Sequence, residues 1–209
     1  MARLFAYIVT HDNGFAPNPH FGFCTLACCK PVIRRIAQEG DYVVGLSRKA
    51  EGNRLIYAME VCEKLTFASY WKDERFEKKK ADPDSKNALR RAGDNIYEPI
   101  QDNALDPSGY KQHPSLHSNP SGDENQNTKH HDLGGEYVLI APEGHFIYRP
   151  PFAVELPEKL RRAFLTLSRG HRSRFTEEEV SAFKTFFEDL LGSFAPDTLP
   201  MATPPVSQH

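Results

Sequence analysis

The chain has 209 residues with 26 basic and 28 acidic side chains, a net charge of −2, and 39% apolar residues. That is enough chain for one domain with a large insertion, and the balanced charge lacks the basic surplus expected of a dedicated nucleic-acid binder. No apolar run approaches the roughly 18 residues of a membrane span.

The start, "MARLFAYIVTHD", alternates apolar residues and lacks a signal peptide's cationic and small-residue regions, so a cytoplasmic protein without membrane association is expected. Leu4, Ala6 and Ile8 on one face and Phe5, Tyr7 and Val9 on the other predict a central strand ending near Thr10. The next segment, "HDNGFAPNPHFGFCTLACCKP", concentrates cysteine, histidine, proline and glycine. Without a signal peptide, Cys24, Cys28, Cys29 and Cys62 are read as thiols. Cys24 and Cys28, with His20 four residues earlier, have the spacing of metal ligands, but the second ligand pair of structural zinc is missing. An iron-sulfur run would need a cysteine where Pro31 stands. Two readings of the thiols stay open: small residues packing a helix entry, or a nucleophile at Cys29, ahead of a helix and near Lys30, Arg34 and Arg35. Phe15, Asn18 and Phe21 belong to a loop whose backbone amides and aromatic faces suit a nucleobase.

"KPVIRRIAQEGD" predicts a short helix opened by Pro31 and stopped by Gly40, with Arg34 and Arg35 outward. "DYVVGLS" and "LIYAMEVCEKL" predict two strands joined through a Gly52-Asn53 turn, and "EYVLIA" with "HFIYRP" predicts a second hairpin. Leu156, Leu160, Phe164 and Leu167 recur at helical spacing. "FTEEEVSAFKTFFEDLL" follows, with a Thr176/Glu179 capping box and a stripe of Val180, Phe183, Phe187 and Leu190. One domain is expected over 1–194, with a proline-rich, disordered tail over 195–209.

Residues 72–135 are polar and aperiodic and read as a long functional insertion. Its "RRAGDNIY" joins Arg90 and Arg91, which suit phosphate, to Asp94 and Asn95, which offer an acceptor and donor set for a base edge, and to Tyr97. It also holds His117 and Asp132, a possible acid-base pair.

At "CTLACCKPVIRRIAQEGDYVVGLS", "LIYAMEVCEKLTFASYW", "GDNIY" and "VLIAPEGHFIYRP" the chain resembles the nucleotide modification associated domain 2 family. That resemblance implies a bacterial or phage protein linked to systems that make or handle modified bases in DNA. The Gly-Asp entering one strand, and Glu60-Val61 in a later one, also resemble PUA-like domains (EVE, ASCH, YTH), although Tyr57 stands where those carry glycine. An α+β fold is therefore expected: a mostly antiparallel curved sheet forming a PUA-like barrel, with C-terminal helices and a long polar insertion.

The expected function is recognition of a modified nucleobase or nucleotide, free or in DNA, with no metal or cofactor. Other proteins of a base-modification system are further expected partners. Phe15, Phe21, Tyr70 or Trp71 would stack on the base, Asp94 and Asn95 would read its edge, and Arg34, Arg35, Arg90 or Arg91 would hold phosphate. The alternative is an enzyme that modifies or hydrolyses a nucleotide with Cys29 as nucleophile, or with His117 and Asp132 as acid and base.

Overall fold

The computed structural model describes residues 2–101, 106–149, 154–165, 167 and 170–193. The expected tail over 195–209 lies outside them. In chain order the elements are β1 (Leu4–Ile8), β2 (Phe23–Leu26), α1 (Pro31–Ile36), β3 (Tyr42–Leu46), β4 (Leu55–Glu60), β5 (Glu63–Thr66), α2 (Phe67–Lys72), α3 (Ala88–Arg91), β6 (Tyr97–Pro99), β7 (Tyr110–Gln112), α4 (Gln126–Leu133), β8 (Tyr137–Pro142), β9 (Phe146–Tyr148), α5 (Glu158–Phe164), β10 (His171–Arg172) and α6 (Glu177–Ser193). Single 3-10 segments occupy Lys49–Glu51, Glu74–Lys79 and Pro107–Gly109.

The chain forms two compact units that interrupt each other in sequence. The described residues of Met1–Asp12, Ala37–Cys62 and Ala141–Thr203 make the first, and those of Asn13–Ile36 and Glu63–Ile140 the second.

The first unit is a five-stranded sheet in the order β10-β1-β3-β4-β9, with α5 and α6. β1 lies inside the sheet, as its two apolar faces require, and pairs in parallel with β3; the other pairings are antiparallel. The turn between β3 and β4 uses left-handed backbone at Gly52 and Asn53 (φ 91° and 50°). Glycine adopts this region without cost, and asparagine tolerates it better than most residues. Helix α6 starts as expected: Thr176 Oγ1 accepts the Glu179 N–H at 3.2 Å, and Glu179 accepts the Thr176 N–H at 2.8 Å. Phe183 and Phe187 bury against Tyr42, with Phe164 in the same core. Fully burying side chains of this size contributes roughly 1.5–3 kcal/mol each.

The second unit holds the sheet β2-β8-β5, the two-stranded β6-β7 pair, and α1 to α4. Its core includes Phe15, Phe67, Tyr70, Phe76, Ile96, Tyr97, Tyr110 and Val138.

Three expectations are corrected. Among the described residues the three sheets stay open, so there is no PUA-like barrel, although most pairings are antiparallel. β8 and β9 do not form a hairpin: β8 pairs with β2 and β5, while β9 pairs with β4. Residues 72–135 are not a structureless insertion, because they supply α3, β6, β7 and α4 and bury Phe76, Ile96, Tyr97 and Tyr110. Among the described residues, no helix is long and apolar enough to cross a membrane.

Candidate active site

The chain leaves β2 through Ala27 and Cys28, both fully buried, and enters α1 at Pro31. The two residues between, Cys29 and Lys30, have φ of 61° and 43°. For non-glycine residues this left-handed region costs about 1–3 kcal/mol each and persists only where surrounding contacts impose it. Those contacts are explicit at Cys29. Its N–H donates to Asp132 Oδ1 at 2.7 Å, and its carbonyl accepts Arg34 Nε at 2.7 Å. The result is a strand, a strained turn and a helix, with a partly exposed thiol at the turn. This is a geometry that presents a nucleophile.

Arg34 is therefore not outward, as the helix pattern suggested. It is completely buried and clamps the turn, donating further to the carbonyls of Tyr137 (2.8 Å) and Asp132. Gly135 makes room for it, since a Cβ there would come within 2.5 Å of the guanidinium nitrogens.

His117 meets the thiol, with Nε2 3.7 Å from Cys29 Sγ and Nδ1 2.6 Å from Asp132 Oδ2. An ionised carboxylate only accepts, so Nδ1 carries the proton and Nε2 is the atom facing sulfur. The loop holding His117 is tied by its carbonyl to Thr128 Oγ1 (2.6 Å) and Gln112 Nε2 (3.2 Å), and the Phe15 ring lies 4.7 Å from the imidazole. Asp132, fully buried on α4, also accepts the Tyr97 hydroxyl at 2.8 Å. Burial pulls the His117 pKa down, but the hydrogen bonds and charges of Asp132 and Cys29 outweigh it and raise the value to about 10. Burial likewise opposes the Asp132 carboxylate, yet His117 and Arg34 hold it below the usual carboxylate range.

The two enzymatic candidates read separately from the sequence thus form one cluster, a thiol, an imidazole and a carboxylate in series. This is the arrangement of a cysteine nucleophile with an oriented base. Cys28, His117 and Asp132 also each place one potential metal-ligating atom within 4.8 Å of the others. The Asp132 oxygens are already occupied by three donors, however, and Cys28 and Asp132 are both fully buried.

The residues expected to read a base edge have other work. Asp94 and Asn95 are 1% and 2% exposed. Asp94 accepts Thr25 Oγ1 at 2.6 Å and the Tyr70 hydroxyl at 2.8 Å, and Asn95 donates to the Tyr70 carbonyl at 3.1 Å. Lys79, buried, donates to both oxygens of Asn18 (2.9 and 2.7 Å) and to the Phe23 carbonyl (3.0 Å). Burial moves Asp94 up and Lys79 down, to about 8, despite their mutual attraction. This polar knot fixes the loop around Asn18 to the start of β6, next to the turn that bears Cys29.

The remaining candidates engage separate partners. Trp71 stacks on His113 at 4.8 Å, Phe21 meets His20 edge-on at 6.2 Å, and Arg35 donates to the Gly134 carbonyl at 3.0 Å. Arg90 and Arg91 donate to the carbonyls of Glu77, Ser85 and Lys86. Sequence reasoning missed Gln112, Thr128 and Lys79, whose only signal was their place in polar runs.

No curated protein and no solved structure matches the chain. A family model does, over residues 1–204, and by that match the chain belongs to the nucleotide modification associated domain 2 family.

Proposed function

We propose that this chain is an enzyme of nucleotide modification that works by covalent catalysis at Cys29, on a carbonyl group carried by a modified base or nucleotide. The observation that carries the reading is the series Cys29 Sγ, His117 and buried Asp132, linked at 3.7 and 2.6 Å. Thiolate is the nucleophilic form of cysteine, and an adjacent imidazolium favours it. In the proposed cycle the Cys29 sulfur attacks the carbonyl carbon and forms the C–S bond. The C–N or C–O bond to the leaving group breaks, and His117 donates its Nε2 proton to the departing amine or alcohol. Water then attacks the thioester, gives a proton to Nε2 and releases the acid together with the Cys29 thiolate. Asp132 keeps the imidazole in the required tautomer throughout.

The family membership supports the nucleotide as substrate class. Recognition without turnover is less well supported, because Asp94 and Asn95, its edge readers, are engaged inside the protein.

A panel of nucleotides bearing amide or ester groups on the base would be incubated with the parent and with Cys29→Ala and Cys29→Ser, and followed by intact-protein and small-molecule mass spectrometry. A product formed by the parent alone, with an acyl adduct on Cys29 at early times, is the expected result. Equal turnover by Cys29→Ala, or binding across the panel without product, would overturn the proposal and favour recognition.

A further inference from the structure

The first unit holds a second cluster of chemically capable side chains. Glu60 ends β4, and Cys62 follows two residues later, before β5 begins at Glu63. Val61, between them, is fully buried, with its N–H donating to Asp41 and its carbonyl accepting from Gly40, both at 2.8 Å. The turn between β8 and β9 brings in His145. Its carbonyl accepts the Glu60 N–H at 3.0 Å, and its own N–H donates to Pro142 at 3.0 Å. These backbone bonds set His145 Nδ1 3.0 Å from Glu60 Oε2. One donor atom each from Glu60, Cys62 and His145 lies within 4.8 Å of the other two.

We propose that Glu60, Cys62 and His145 form a binding site for a divalent transition-metal ion, zinc foremost, with a fourth coordination position left to solvent. One sulfur, one imidazole nitrogen and one carboxylate oxygen suit a borderline ion, whereas magnesium and calcium take oxygen donors almost exclusively. Half the His145 side chain and a third of Glu60 are exposed, so an ion can enter from water. Without an ion, the Glu60–His145 pair is an exposed contact worth little, and the Cys62 thiol donates to the Glu60 carbonyl at 3.5 Å.

Chelator-treated protein would be titrated with cobalt(II), whose bond to a thiolate gives a charge-transfer absorption in the near ultraviolet. The parent should develop this band, saturating near one ion per chain and bleached by added zinc. Cys62→Ser and His145→Ala should lose it while keeping their circular dichroism. Cys28→Ser and Cys29→Ser should retain it, which separates this site from the cluster around His117. No band in the parent, a band of full strength in Cys62→Ser, or a band lost in Cys28→Ser would overturn the proposal. Zinc should also raise the melting temperature of the parent and leave that of Cys62→Ser unchanged; an equal rise in both would count equally against it.

Discussion

Asp132→Asn removes the charge that organises the candidate active site while keeping its shape. The imidazolium of His117 and the carboxylate of Asp132 are in hydrogen-bond contact at 2.6 Å. Opposite unit charges about 4 Å apart interact by about 4 kcal/mol at an effective dielectric near 20. At about 1.36 kcal/mol per pKa unit that is about 3 units. His117 should therefore fall from about 10 in the parent to about 7 or lower, since burial, the leading influence on it, pulls the same way once the charge is gone. Long-range nitrogen-proton NMR of the histidine rings across pH reads this directly, with a His117→Gln variant to assign the signal. The stability consequence has a definite sign. With the folded-state pKa above 6.5, the His117 contribution is complete below pH 6.5 and lost as pH rises through about 10. Asp132, held low, contributes above its ordinary value of 3.8, and that contribution is lost as acid protonates it. The alkaline loss should therefore flatten in Asp132→Asn. If His117 in the parent titrates near 6.5, or titrates identically in Asp132→Asn, the coupling on which the active-site reading rests is absent.

Two further outcomes test the framework. Asp94→Ala should unfold at markedly lower urea, by about 3–5 kcal/mol, because it strands the buried Lys79 charge and the donors of Thr25 and Tyr70; an unchanged midpoint would mean that the knot holds nothing. Thr176→Ala should cost about 1 kcal/mol, seen as faster amide exchange confined to the first turn of α6, and exchange unchanged there would refute the capping assignment.

Patterns with a short period were legible in the sequence. The two-sided apolar character of β1, the Gly52-Asn53 turn and the Thr176 capping box each depend on a few neighbouring residues, and each forms. What could not be read was pairing at a distance. "EYVLIA" and "HFIYRP" look like one hairpin because they are adjacent, yet their partners lie in β2 and β5 for one and β4 for the other. Residues 72–135 looked polar because their apolar residues are sparse, and sparse aromatics such as Phe76, Tyr97 and Tyr110 still bury fully when they converge on one core. The candidate site shows the same split. Cys29, His117 and Asp132 were each recognisable as reactive types, but their convergence spans 88 and 103 residues of chain. Arg34 failed for a different reason, since helical spacing describes only which residues share a face, and here an arginine on the inward face is satisfied by three carbonyls.

The interleaving of the two units also bears on the chain's emergence from a ribosome. β1, β3 and β4 are made early, but the strands that flank them, β9 and β10, and helix α6 come only after the whole second unit has been synthesised. For that interval the nascent three-stranded apolar sheet has both edges unpaired and its Tyr42 face uncovered by Phe183 and Phe187. The second unit, complete once β8 is out, can finish first. Non-local strand closure is slow and leaves such edges open to other chains, so the yield of folded protein should depend more on how quickly the segment from β9 to α6 is translated than on the final stability of the fold.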